Sequence, residues 1–346
     1  MTLLDDICNA SREACPRIVL SEGADPRVIE AALRAKADGL ATPILVGDAQ
    51  EIREQLSKQN GLDLFEVHDP LTSEKLDDYA AAYFELRRHR GISADDALKV
   101  MQTGLGFAAM MVRRGDADGT IGGAVATTAE TVRTALQIIG KAPDVDVVSS
   151  CFLMLLKEPF QRPVVFADCG LIMQPTSQEL ANIAIASAQS LKALAGQEPR
   201  VAMLSFSTMG SADPDAHESI NRIRKAIEMI KERAPDLVVD GEIQFDAAII
   251  PEIAARKAPS SVLQGDANVF VFPSLSAGNL GYKIAERIGG AIALGPILQG
   301  LAHPANDLSR GCSAQDVYQM IAITGAQAAS LKNADGADEE RRARVK

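Results

Sequence analysis

Within PANDLSRGCSAQD, residues 304–316, the chain sets Ser309 beside Arg310 and follows them with Asp316. A guanidinium is a planar fork that can meet two oxygens of a phosphate at once, so Arg310 is a candidate for holding a phosphorylated ligand. Asn306 and Asp307, after Pro304, read as turn residues, because their short side chains can bond their own backbone. Gly311 would permit a backbone that other residues do not adopt. Arg310 is thereby expected in a tight, glycine-framed loop, where on local sequence alone a solvated surface arginine is the simpler reading. Ser313 and Asp316 have the S-x-x-D form of a capping box, so spacing alone gives Asp316 a structural role. Cys312, in an apolar, glycine-framed setting, is expected to be a packed thiol.

Other candidate groups lie far off in sequence. GGAVATTAETVR (122–133) runs from a strand through two glycines to Thr127 and Thr128, where a helix should begin. Such an N-terminus offers free N–H groups and the positive end of the helix dipole, which suits an anion. Thr127 with Glu130 also makes a capping box, and the two roles are compatible. Arg133, further along that helix, is either a cation for an anionic ligand or a solvated neighbour of Glu130. ELRRHRG (85–91) places Arg87, Arg88 and Arg90 in the last turn of a helix. There the dipole favours cations by a few tenths to about 1 kcal/mol, without any ligand. SAGNLGYK (276–283) is glycine-spaced after a strand and puts Tyr282 and Lys283 where a phosphate-bearing ligand would fit.

Nucleotide and metal motifs are missing. There is no GxxxxGK[ST], and GLGFAA (104–109) follows helical sequence where a dinucleotide fingerprint needs a strand. Close helix packing is the better explanation of Gly104 and Gly106. His68, His89, His217 and His303 are far apart, and Cys8, Cys15, Cys151, Cys169 and Cys312 lack CxxC spacing. No metal site is indicated, and reduced thiols are expected.

The elements that must position these groups alternate. Strands are expected at 17–23, 42–48, 118–124, 164–168, 200–207 and 267–275, with a further apolar run before Pro304. Helices are expected at about 26–39, 49–59, 73–91, 93–115, 127–140, 176–195, 214–233, 245–257, 278–288 and 313–331, followed by a mobile charged tail. This is an α/β pattern with mainly parallel sheets, and such sheets gather ligands beyond the carboxyl ends of their strands. A chain of 346 residues is long for one core, so two domains are expected, with 141–150 as a crossing between them.

Composition narrows the function. The net charge of −11 opposes non-specific binding to nucleic acid or an anionic membrane. Trp is absent and aromatics make up 4%, which disfavours base-stacking platforms. An anionic substrate must therefore be drawn by a few local cations. The N-terminus, MTLLDDICNASREACPR, lacks the basic and apolar regions of a signal peptide, and no apolar stretch is long enough to span a bilayer.

Taken in order, YFELRRHRGIS, AETVRTALQIIG, VVFADCG, VAMLSFST, DGEIQFDAA, ANVFVFPSLSAGNLGYKIAERIGGA and GPILQGLAHPANDLSRGCSAQD closely resemble the phosphate acetyltransferases. The likeness runs from about residue 17 to 330. It implies the reversible reaction acetyl-CoA + phosphate = CoA + acetyl phosphate. It also implies two α/β/α domains like those of isocitrate and isopropylmalate dehydrogenases, with the active site in the cleft between them. The first domain would be discontinuous, 1–145 with 300–346. The second, 146–299, would carry the dimer contact of a cytoplasmic homodimer.

By matching motif, Arg310 would bind phosphate oxygens, with Arg87 and Arg133 supporting the anionic substrates. Ser309 would hydrogen-bond the acyl phosphate or the thiol sulfur, and Asp316 would be the base that takes the CoA thiol proton. Thr128, Tyr282 and Lys283 would be further substrate contacts. The chemistry suits these types: a thiol with a pKa near 8.5 is a few per cent thiolate at pH 7, a gap of about 2 kcal/mol that a positioned carboxylate can close. Thiolate attack on the carbonyl then needs no side-chain nucleophile, metal or nicotinamide, with CoA entering as a substrate. Many relatives carry histidine where this chain has Ala126, so that position is given no acid–base role. Competing readings are a phosphate butyryltransferase, a non-catalytic acyl-CoA sensing module, and an NAD-dependent dehydrogenase of the same fold.

Overall fold

A computed structural model describes residues 2–344 except 60, 144 and 213–217, with side chains described to residue 333. The chain divides into two compact units, Met1–Ala142 with Leu301–Lys346, and Pro143–Gly300.

The first unit contains α1 (Leu3–Ala14), β1 (Arg17–Leu20), α2 (Pro26–Ala37), β2 (Thr42–Val46), α3 (Ala49–Ser57), β3 (Glu66–His68) and α4 (Leu76–Arg87). A 3-10 turn (Arg88–Arg90), α5 (Ala94–Met101), α6 (Gly104–Arg113), β4 (Gly119–Gly122) and α7 (Thr128–Ile138) follow. The second unit holds β5 (Ser149–Leu155), β6 (Pro163–Ala167), α8 (Ser177–Ala195), β7 (Arg200–Leu204), α9 (Glu218–Arg233), β8 (Val238–Ile243) and α10 (Phe245–Ile249). It continues with α11 (Pro251–Lys257), β9 (Val269–Val271), α12 (Leu275–Arg287) and β10 (Ile292–Gln299). The chain then returns to the first unit with β11 (Ala305–Asp307) and α13 (Ala314–Arg344).

The first sheet has the order β11-β4-β1-β2-β3, every pair parallel. From β1 the chain builds outward through β2 to β3, then crosses to the other side of β1 to lay down β4. The strand order therefore reverses between β1 and β4, the kind of switch point where open parallel sheets leave a crevice beyond their carboxyl ends. Val19, Ile44, Val46, Phe107, Met110 and Met111 fill the core beneath it. The second sheet has the order β10-β5-β6-β9-β7-β8, antiparallel at β10-β5-β6 and parallel in the rest.

Several expected elements are revised. Asn306 and Asp307 are not turn residues: they lie in β11, in register with Ile121 and Gly122 of β4, and both are buried. The 93–115 pattern is two helices, because Thr103 caps a new start through its hydroxyl on the Gly106 N–H. Pro251 opens α11 and divides the expected 245–257 helix. The 73–91 helix ends at Arg87, and α13 runs past 331 to Arg344. The expected start of the 214–233 helix, with His217, lies outside the described residues, as do the tail's side chains beyond 333.

Candidate active site

Because the strands of the first sheet are parallel, the loops after β1, β2, β4 and β11 leave the same edge. A cavity of about 820 Å³ opens there, lined by Ser21–Asp25, Val46–Gly47, Thr103–Leu105, Val125–Ala126, Glu130 and Thr134, with Glu51. Gly104 is needed where α6 enters this edge, since a Cβ would lie 2.2 Å from the Ser21 carbonyl oxygen. Close packing therefore explains that glycine.

Part of the backbone after β4 that the sequence suggests for an anion is already taken. The N–H groups of Ala124, Val125 and Ala126 donate to the Glu22 carboxylate at 2.6, 3.1 and 2.7 Å. An internal anion thus already occupies that nest of amides. Thr127 and Glu130 close the capping box. Thr128 donates its hydroxyl to Asp307 Oδ2 at 2.6 Å, so that hydroxyl serves an internal partner. The methyl of Ala126 offers no proton chemistry.

The loop after β11 folds as a short turn, with the Cys312 N–H donating to the Ser309 carbonyl and the Gly311 N–H to Ser309 Oγ. Gly311 is outside the left-handed region, and an added Cβ there would meet only Ser309 Oγ at 3.8 Å. The turn does not require glycine, contrary to expectation. Ser309 and Arg310 are exposed, and the Arg310 guanidinium has no hydrogen bond or ion pair among the described residues. What holds the turn is Arg27. Its guanidinium donates to the carbonyls of Arg310, Cys312 and Ala124 at 2.8, 3.0 and 2.8 Å, while pairing with Asp25 at 2.8 Å. Cys312 is buried, and burial pushes its thiol up against the opposing pull of Arg27, so it is poorly suited to act as a thiolate.

Asp316 sits at the N3 position of α13 in a complete capping box. Its Oδ2 accepts the Ser313 N–H at 2.8 Å and the Ser313 hydroxyl at 2.9 Å. The residue is exposed. One carboxylate oxygen is committed to the cap, which orients the group without shielding it from a substrate.

Glu130 shows how the cations gather. Its carboxyl is held below its ordinary value first by the Thr127 N–H, and the charges of Arg133 and Arg310 add to this. The turn carrying Arg310 and the exposed face carrying Arg133 therefore share one neighbourhood. Arg87 lies beside Tyr83, which bonds the same helix. The Tyr83 hydroxyl donates a hydrogen bond to Gln137 Oε1 at 3.0 Å, and Gln137 lies on the Arg133 face of α7. Arg87 Nε is buried with no hydrogen-bond partner among the described residues, whereas Arg88 simply pairs with Glu85 on the surface.

Tyr282 and Lys283 belong to the second unit. Gly278 and Gly281 lie inside α12, where added Cβ atoms would strike the Asp168 carbonyl at 2.2 Å and the Phe272 ring at 3.0 Å. The segment is thus a closely packed helix and not a phosphate loop. The Tyr282 ring stacks on Phe152 at 4.0 Å, and Lys283 is exposed.

Glu22, Arg27 and Asp307 were not picked out from the sequence. Glu22 could have been, as a carboxylate just beyond a strand at the switch point. Arg27 shows no pattern beyond a helix start. Among the described residues no cluster of His, Cys, Asp and Glu could hold a metal, and no helix is long and apolar enough to cross a membrane.

The family model described as phosphate acetyl/butaryl transferase matches residues 2–325. A phosphate acetyltransferase of Paracoccus denitrificans is 52% identical over 332 residues, covering 94% of this chain and 99% of the relative. One from Thermoanaerobacterium thermosaccharolyticum is 45% identical, covering 95% and 100%. The crystal structure of a phosphotransacetylase from Streptococcus pyogenes superposes with a TM-score of 0.89 at 43% identity, covering 94% of this chain and 98% of that one.

Proposed function

From a chain that belongs to the phosphate acetyl/butaryl transferase family, we infer a reaction carried out by the turn after β11 and the helix start that follows it. The protein is a phosphate acetyltransferase, moving an acetyl group reversibly between CoA and phosphate. The observation that supports our assignment of the chemistry is that an exposed guanidinium without an ion pair among the described residues, Arg310, and an exposed carboxylate, Asp316, stand on one turn and the helix start after it, with the turn pinned by Arg27.

In the direction of acetyl-CoA formation, Asp316 takes the proton of the CoA thiol through the carboxylate oxygen not used by the cap. The thiolate sulfur bonds to the carbonyl carbon of acetyl phosphate, the carbon–oxygen bond to phosphate breaks, and phosphate leaves with that electron pair. Arg310 holds the phosphate oxygens before and after cleavage, and Ser309 donates a hydrogen bond to the reacting group. Arg133 and Arg87 add positive charge on α7 and beside it. Positioning and charge stabilisation carry the rate, and the two substrates react in a ternary complex. Tyr282 and Lys283 are assigned a lesser role in substrate contact. We assign no covalent step to Cys312, no resident cofactor, and a homodimeric assembly through the second unit.

The test is direct. Purified protein is mixed with acetyl phosphate and CoA, and loss of free thiol is followed with and without a chelator. Rapid loss in both samples is expected. No loss of thiol would overturn the assignment, and loss that chelator abolishes and added metal restores would overturn the metal-free mechanism.

A further inference from the structure

Asp307 has a setting that the chemistry above does not use. It ends β11, just before the turn carrying Ser309 and Arg310, and is only 1% exposed. The backbone around it is fixed, because the Leu308 N–H donates to the Gly122 carbonyl at 2.8 Å. Its Oδ2 accepts the Thr128 hydroxyl from the first turn of α7. Its Oδ1 is buried with no hydrogen-bond partner among the described residues. Gly123 makes room for that oxygen: with φ at +98°, it lies where a Cβ would come within 2.2 Å of Oδ1. A buried carboxylate oxygen without a donor costs free energy, so this arrangement is not the cheapest way to join a strand to a helix.

We propose that Asp307 is a positioning residue for acetyl transfer, its buried carboxylate gripping Thr128 so that the first turn of α7 is fixed against the Ser309–Arg310 turn. The proposal rests on the acetyl-transfer reading above. Through this grip the carboxylate sets the spacing between Arg133 on α7 and Arg310 on the turn, both of which act on Glu130.

The grip depends on ionisation. A hydroxyl bonds a carboxylate more strongly than it bonds a neutral carboxylic acid. Burial, with the charge of Glu22 adding, pushes the Asp307 carboxyl up to about 6 against the lowering pull of Thr128 and Thr131. Each packed element contributes to that environment. The β1–α2 loop faces it with Glu22, and α7 with the hydroxyls of Thr128 and Thr131. β4 offers backbone at Gly122 and Gly123, and α13 packs on β11 through Thr324 and Gln327, which bond Asn306. Below about pH 6 the carboxyl gains a proton and the grip on Thr128 weakens.

Full-length wild type, Asp307→Asn and Thr128→Val are compared by initial rates of acetyl transfer from acetyl phosphate to CoA, between about pH 5 and 8. Circular dichroism and melting temperature check folding. Wild-type kcat is expected to fall below about pH 6. Asp307→Asn should lower kcat at neutral pH by about tenfold or more, leave KM for CoA within roughly threefold, and abolish the inflection near pH 6. Thr128→Val, which takes a donor from the ionised carboxylate, should move the inflection upward by about half a unit. A folded Asp307→Asn protein with wild-type kcat, or with the inflection in place, would overturn the proposal. Should that variant fail to fold, an unmoved inflection in Thr128→Val would overturn it. A wild type that transfers no acetyl group at any pH would overturn the functional reading itself, a different result from either variant outcome.

Discussion

Two buried aspartates, one in each unit, stand just beyond or at the carboxyl end of a strand and are treated in opposite ways. Asp168, 2% exposed, follows β6 and accepts hydrogen bonds from the Ser150 N–H and hydroxyl and from the N–H groups of Gly170, Leu171 and Ile172. Asp307, 1% exposed, has the Thr128 hydroxyl on one oxygen and, among the described residues, no hydrogen-bond partner on the other. A carboxylate surrounded by donors organises the loop around it and is costly to remove. A carboxylate left short of donors contributes less to stability and responds more readily to pH. Burial alone does not separate a structural acid from one tied to function; the inventory of donors does.

The largest expected effect lies on the satisfied side of that contrast. Asp168→Ala would strand up to three N–H groups and a hydroxyl, with the Gly170 N–H left to Ser150 Oγ alone, costing on the order of 3–5 kcal/mol and lowering the melting temperature sharply. Asp307→Ala should cost clearly less in the same melting experiment. Equal losses from the two substitutions would erase the distinction.

Arg310→Lys tests the site that Asp307 adjoins. A point charge replaces a planar fork, and a fall in kcat/KM for acetyl phosphate of roughly tenfold to a hundredfold is expected, with melting unchanged. Near-normal kinetics would return Arg310 to the role of a solvated turn residue.

The pH dependence of stability gives a subtler check. The folded Asp307 carboxyl, raised to about 6 from an ordinary value of 3.8, binds its proton more tightly than the unfolded chain does. Its contribution therefore favours the folded state at low pH and is lost as pH rises from about 4 through 6. Melting temperatures of Asp307→Asn should lack that downward component over this window. An identical pH slope in wild type and variant would show that Asp307 ionises normally.

Cys312→Ala should have the smallest effect, with activity within about twofold of wild type, because the thiol is buried and its pKa raised. An inactive alanine variant, together with a labelled acetyl group trapped on Cys312, would establish a two-step route.

Most of the helices and the longer strands were legible, because α2 and α8 announce themselves by periodicity and caps, and α9 by periodicity. What escaped was short or punctuated. β11 is three residues ending in Asn-Asp, a pair that local chemistry assigns to turns, and only pairing with β4 makes it a strand. β8, VVDGEI, has Asp and Gly at its centre, and β5 starts inside the stretch read as a crossing. At the proposed site, Ser309, Arg310 and Asp316 were marked by a distinctive run of sequence. The partners that restrain the site were not. Arg27 meets the turn from far along the chain, and Glu22 fills an amide nest that local sequence alone presents as open. Long-range contacts of this kind leave no spacing to read.

Asp316, a helix-capping residue by geometry, is assigned a second role as the base for the CoA thiol. Turnover of Asp316→Asn, measured beside its melting temperature, tests it most directly. As a cap alone the carboxylate is worth about 0.5–1 kcal/mol of stability. As a base it is worth about 10²–10⁴ in rate. The expected result is a fall in kcat of that order with CoA still bound and little change in melting. The deficit should shrink as pH rises toward the thiol's own pKa, near 8.5, where solvent supplies the thiolate. Normal turnover with a clear loss of stability would contradict the claim and leave Asp316 a cap.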